Sequence, residues 1–178
     1  GPMFPWDECL LDEDPVWSVE QYYPSHCRFF DYVEQKLELE VVIAAHPKSN
    51  HADDRPKYYG KRRVIPNQLL PLIKKSKFAM THNSTTLTLV ALEKKPVFIL
   101  TNAAFETDIA LSRMLKLVAS CFGSSPINVD TTPYSIDFQK ELDVNESLYS
   151  FFLQQYIKKT DSEKLNSWQI LANRLKQL

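Results

Sequence analysis

The chain has 178 residues, 21 Lys and Arg against 22 Asp and Glu for a formal net charge of −1, and 44% hydrophobic residues. That balance describes a folded globular domain and excludes a global field that would draw nucleic acid or an anionic membrane, so any basic site must be local. With only 3 Gly in the whole chain, the glycine-rich phosphate loop of nucleotide-hydrolysing or dinucleotide-binding proteins is excluded as well.

Gly1-Pro2 ahead of Met3 reads as the remnant of a protease cleavage site. The acidic stretch Leu11-Asp12-Glu13-Asp14 then arrives with no introductory element, which sets the expectation of a domain cut from a longer protein. A helix is predicted over residues 25–36, where Phe29, Phe30 and Val33 recur at helical spacing. Val41 to Ala45 is short, continuously apolar and β-branched, as a buried parallel strand should be, and it runs into His46-Pro47-Lys48-Ser49. Residues 48–60 are polar and contain Pro56 and Gly60, so they form a loop.

Val64-Ile65 is predicted as a short strand, followed by a helix over residues 67–75, a strand over 78–81 and a helix over 87–94. Residues 96–100 are a further buried strand, 108–122 an amphipathic helix and 126–129 a last short strand. Beyond residue 136 only helices are expected, over 146–159 and 162–177. Strands alternating with amphipathic helices define an α/β class: a Rossmann-like three-layer αβα domain with a parallel sheet over residues 3–135, carrying helices from 136–178 packed on the same domain. No apolar run approaches the ~18 residues of a membrane helix. Cys9, Cys27 and Cys121 show neither disulfide nor zinc spacing. A cytoplasmic protein is the expectation, without a metal site.

Ligands of open parallel sheets bind outside the carboxyl ends of strands. Two predicted strands end in polar loops, His46-Pro47-Lys48-Ser49 and Thr81-His82-Asn83-Ser84-Thr85-Thr86. The second opens a helix, whose free N–H groups and positive end suit a phosphate that hydroxyls can also reach. His46 could bond the same phosphate, and as imidazolium offset charge on a departing group. Each feature also has a plainer role: a strand-end histidine bonded to backbone, Ser and Thr as helix caps, Lys61-Arg62-Arg63 as a solvated charge run, and Tyr22, Tyr23, Phe29, Phe30 and Tyr32 as core.

The stretch V-V-I-A-A-H-P-K-S, the helix with L-L-P-L-I-K-K-S, and F-A-M-T-H-N-S-T-T-L-T-L-V-A-L-E-K-K-P-V-F-I resemble the donor-binding domain of bacterial GT-B glycosyltransferases of capsule and lipopolysaccharide synthesis. The similarity covers about residues 38–100 and is greatest to the sialyl- and Kdo-transferase groups that use CMP-activated sugars. The resemblance implies one half of a GT-B fold, inactive alone and completed by an N-terminal domain. Its substrates would be a nucleotide-sugar, CMP-linked, and a glycan or glycolipid acceptor, with no other cofactor. It would work without metal at the inner face of the bacterial inner membrane.

It further implies that His46 meets the donor phosphate, with Pro47, Lys48 and Ser49 beside it and His82, Asn83, Ser84, Thr85 and Thr86 opposite. The acceptor's base would come from an acidic motif. Asp12 and Glu13 are the candidates in this chain, although their motif lacks the family's following Gly and continues with Pro15. CDP-alditol phosphotransferases show a similar His-Pro loop, but carry an acidic residue where this chain has His82-Asn83. A non-catalytic Rossmann-like module of a polysaccharide-synthesis complex is the alternative from another class.

Overall fold

The computed structural model describes residues 19–45, 58–159 and 161–177. Among them the element order is α1 (Val19–Leu37), β1 (Ile43–Ala45), β2 (Val64–Pro66), α2 (Leu69–Lys75), β3 (Ala79–Thr81), α3 (Thr86–Leu92), β4 (Val97–Thr101), α4 (Ala103–Thr107), α5 (Ile109–Ser120), β5 (Ile127–Asn128), α6 (Phe138–Glu141), α7 (Glu146–Tyr156) and α8 (Ser167–Leu175). All strand pairings are parallel: β1 runs with β2, and β4 lies between β3 and β5. The chain is an α/β protein with a Rossmann-like αβα arrangement, as the alternation of short apolar runs and amphipathic stretches predicts.

β4 shows why the layers form. Its five residues are all buried, and alternate side chains leave a strand on opposite faces. Val97 and Ile99 join a core made with Leu87, Val90 and Ala91 of α3 and Leu111, Leu115 and Ala119 of α5. Phe98 and Leu100 join a second core with Phe29, Phe30 and Val33 of α1 and Val129 past β5. A strand covered on both faces must be apolar throughout, which is the pattern Val97-Phe98-Ile99-Leu100 carries.

Several boundaries differ from the sequence reading. Helix α1 begins at Val19, six residues before the predicted start, and takes Pro24 into its N-terminal part. Just past the proline, Ser25 Oγ (3.0 Å) and His26 Nδ1 (2.7 Å) both donate to the Tyr22 carbonyl, so side chains serve that backbone acceptor. Helices α4 and α6 have no counterpart in the prediction. Each is opened by a side-chain cap, Asn102 accepting from Phe105 N and Asp137 from Gln139 N and Lys140 N.

The helices at the end of the chain differ in how they are held. α7 packs against α3 and sends Tyr149 into the first core, where its hydroxyl donates to the Lys95 carbonyl at 2.9 Å. α8 is well capped, with reciprocal bonds between Asn166 and Gln169, yet none of its residues is buried. Among the described residues, no helix is long and apolar enough to cross a membrane.

Candidate functional site

The site is built at the carboxyl ends of β3 and β4. Their register pairs Thr81 with Ile99, so β4 runs two residues further and ends on Thr101 beside the loop that follows β3. That loop, His82-Asn83-Ser84-Thr85, enters α3 directly. Ser84 Oγ donates to Thr86 Oγ1 at 2.9 Å and accepts from Thr86 N at 3.2 Å, which fixes two of the three hydroxyls in one tight turn. Thr85 occupies the position before the helix, makes no side-chain capping bond, and is exposed. Asn83 is half-buried, with its amide 3.1 Å from Met114 Sδ of α5.

His82 does not share that outlook. Its ring is 4% exposed and turned into the core. Nδ1 donates to the Leu100 carbonyl at 2.8 Å, and Nε2 lies 2.8 Å from the Tyr22 hydroxyl and 3.1 Å from His26 Nε2. The Phe105 ring packs edge-on against it, 4.8 Å between centroids. Burial is the main cause that pushes His82 down to about 3 and His26 down to about 4, so both rings are neutral near pH 7. Of the two roles open to His82, facing the cleft with the other loop residues or supporting the loop, the structure gives the second: a ring two residues from Ser84 meets α1 and β4, and burial holds it there.

His46, Pro47, Lys48 and Ser49, which follow β1 in sequence, and Asp12 and Glu13 lie outside the described residues. The charge run ahead of β2 is engaged elsewhere. Arg62 is buried and reaches Asp31 (2.6 Å) and Glu34 (2.7 Å) of α1, with its guanidinium carbon 5.4 Å from the centre of the Phe30 ring. Arg63 pairs with Glu40 at 2.8 Å. Arg62 thus fastens α1 to the segment before β2 rather than offering its charge to a ligand.

Sequence reasoning missed three groups at the same sheet edge. Thr101 Oγ1 is buried with no hydrogen-bond partner among the described residues. Asn102 is buried and spends its side-chain oxygen on Phe105 N at 2.8 Å. Asp130, past β5, accepts from Ala103 N at 2.9 Å. The signal available in the sequence was the polar pair Thr101-Asn102 directly after four apolar residues, the same strand-to-polar change that marks the β3 loop.

A cavity of about 20 Å³ lies at the other end of β4, lined by Val97, Gly123, Glu141 and Tyr149 among others. It has room for about one water and stands apart from the carboxyl-end groups. No protein-family profile, curated protein or solved structure matches the chain.

Proposed function

We propose that this chain is the donor-binding half of a GT-B glycosyltransferase, taking a nucleotide-activated sugar, CMP-linked, for transfer to a surface polysaccharide or lipopolysaccharide acceptor at the cytoplasmic face of the bacterial inner membrane. The observation that carries this reading is the hydroxyl-rich loop Ser84-Thr85-Thr86 at the carboxyl end of β3, opening a helix within a parallel sheet. The exposed Thr85 hydroxyl at such an edge suits a phosphate without any glycine-rich turn, whereas the N–H groups of Thr86, Leu87 and Thr88 are already donated to Ser84 and Thr85.

In this proposal the Thr85 hydroxyl holds the donor phosphate, Ser84 fixes the turn through Thr86, and His46 approaches the same phosphate. The acceptor hydroxyl gives its proton to a carboxylate, Asp12 or Glu13 or one in an N-terminal partner domain. Its oxygen bonds the anomeric carbon as the bond to the phosphate oxygen breaks, and the electron pair leaves with the nucleotide. Donors already aimed at that phosphate stabilise the charge as it develops. His82 contributes from behind, as a brace for the loop.

Thermal-shift measurements with CMP, CDP, UDP and a CMP-sugar test the reading, because a ligand that binds only the folded form raises its melting temperature. Millimolar CMP is expected to raise the Tm, and Thr85→Ala to remove most of that rise. No shift with any of these nucleotides would contradict the proposal.

One observation favours a second reading, a non-catalytic interaction module. Trp168 (79% exposed), Leu171 and Leu175 present an apolar stripe on α8 that the described residues leave uncovered. That reading gains if every nucleotide fails while Trp168→Ala abolishes self-association or assembly.

A further inference from the structure

We infer that His26 and His82 form one proton-sharing pair, which takes up a single proton between its facing Nε2 atoms as the pH falls and thereby alters the tie between α1 and the loop carrying Ser84 and Thr85.

The Tyr22 and Leu100 carbonyls can only accept, so the ring nitrogens beside them, His26 Nδ1 at 2.7 Å and His82 Nδ1 at 2.8 Å, must each carry a hydrogen. Turning either ring over would set a carbon at that distance from a carbonyl oxygen, well inside the roughly 3.3–3.6 Å of a C–H···O contact. Both ring orientations are therefore fixed by their carbonyls. Two neutral imidazoles own one hydrogen each, and both are spent. Each Nε2 then keeps its lone pair, and the two stand 3.1 Å apart, on rings 5.1 Å between centroids and crossed at 73°.

In the neutral form this contact sets acceptor against acceptor, relieved on one side by the Tyr22 hydroxyl, which donates to His82 Nε2 at 2.8 Å. One proton from solvent changes its sign. Placed on His26 Nε2, it makes that ring an imidazolium donating to the His82 lone pair, a charge-assisted hydrogen bond. His82 Nε2 then accepts from both His26 and Tyr22. A second proton would place two like charges 3.1 Å apart, so the pair holds one.

The surroundings decide the range. The Tyr22 ring stacks on His26 at 4.0 Å, and Phe30 of α1 and Phe105 of α4 add apolar faces. Among the described residues Tyr22 of α1 and Asp130 past β5 act on the pair directly, and Tyr23 of α1 and Tyr59 ahead of β2 act on Tyr22. Burial holds the Tyr22 and Tyr59 phenols protonated, and among the described residues Asp130 supplies an anionic influence that favours charge on His26. Desolvation opposes it, and the pair titrates below the ordinary histidine value.

Because His82 joins β3 to the loop, its ring is the inner anchor of that loop, and His26 is the matching anchor on α1. Histidine ring ¹⁵N spectra of the intact chain between pH 8 and pH 4 test the inference. The expected result is one shared midpoint for the Nε2 signals of His26 and His82, both Nδ1 atoms protonated throughout, and a step at the same midpoint in the backbone amides of Ser84 and Thr85. Two independent midpoints, an unprotonated Nδ1 at pH 8, or rings that stay neutral until acid unfolding would overturn it. In His26→Phe, or in His26→Gln should the first variant fail to fold, the amide step should vanish. A step that persists in the folded variant would also overturn it.

Discussion

His82 and Thr85 are three residues apart in one loop and live in different worlds. The first is buried and tied to α1 and β4; the second is exposed and leaves its hydroxyl uncommitted. A strand that ends under a helix forces such a division. The residue leaving the sheet is still covered by α1, and only the following ones clear the edge. Polar character alone does not tell the two apart, because in the interior a ring nitrogen must find a partner, whereas at the edge a hydroxyl can wait for one.

The division predicts a ranking of effects. His82→Ala should be the most damaging, costing about 3 kcal/mol in urea unfolding, because it strands the Leu100 carbonyl and the Tyr22 hydroxyl in the core and leaves a void. A cost under about 1 kcal/mol, typical of surface sites, would break the comparison.

Acidification comes next. His26 and His82 are neutral in the fold, with values lowered by burial to about 4 and about 3, while the unfolded chain protonates them near the ordinary 6.5. The unfolded state therefore binds more protons in that window. The stability these rings contribute is complete above pH 6.5 and is lost as the pH falls toward 4. Each proton difference gives a slope of about 1.4 kcal/mol per pH unit. Two independent rings would give about twice that slope, and a pair that shares a proton falls back toward a single one, so stability measured against pH sharpens the account of the pair.

Tyr22→Phe removes one donor to His82 and should cost about 1 kcal/mol. Thr85→Ala should be the mildest, within about 0.5 kcal/mol of the parent, while changing how the protein responds to nucleotide. An equal loss of stability from Thr85→Ala and His82→Ala would erase the distinction between brace and edge.

How much of this was written in the sequence depends on how local the cause is. β4 could be read from four consecutive apolar residues, and α5 from the apolar positions Ile109, Leu111, Leu115, Leu117 and Val118, of which Leu111 and Leu115 are buried and Ile109 and Leu117 exposed. α4 and α6, with five and four residues, are too short to show a period, and their caps Asn102 and Asp137 were the only local signal. The loop Asn83 to Thr86 was legible as a polar strand end.

The fate of His82 was not legible, because it is decided by Tyr22 and His26, 60 and 56 residues away. Arg62 was hidden for the same reason. A Lys-Arg-Arg run reads as solvated, and only the helix that brings Asp31 and Glu34 alongside makes the middle residue a buried tie.

The most direct test of the proposed donor site is a titration of the ¹⁵N-labelled chain with CMP, followed through its backbone amides. The account predicts that the largest shifts fall on residues 83–87, with smaller ones at Thr101 and Asn102. Shifts centred on α8, or none at millimolar nucleotide, would contradict it.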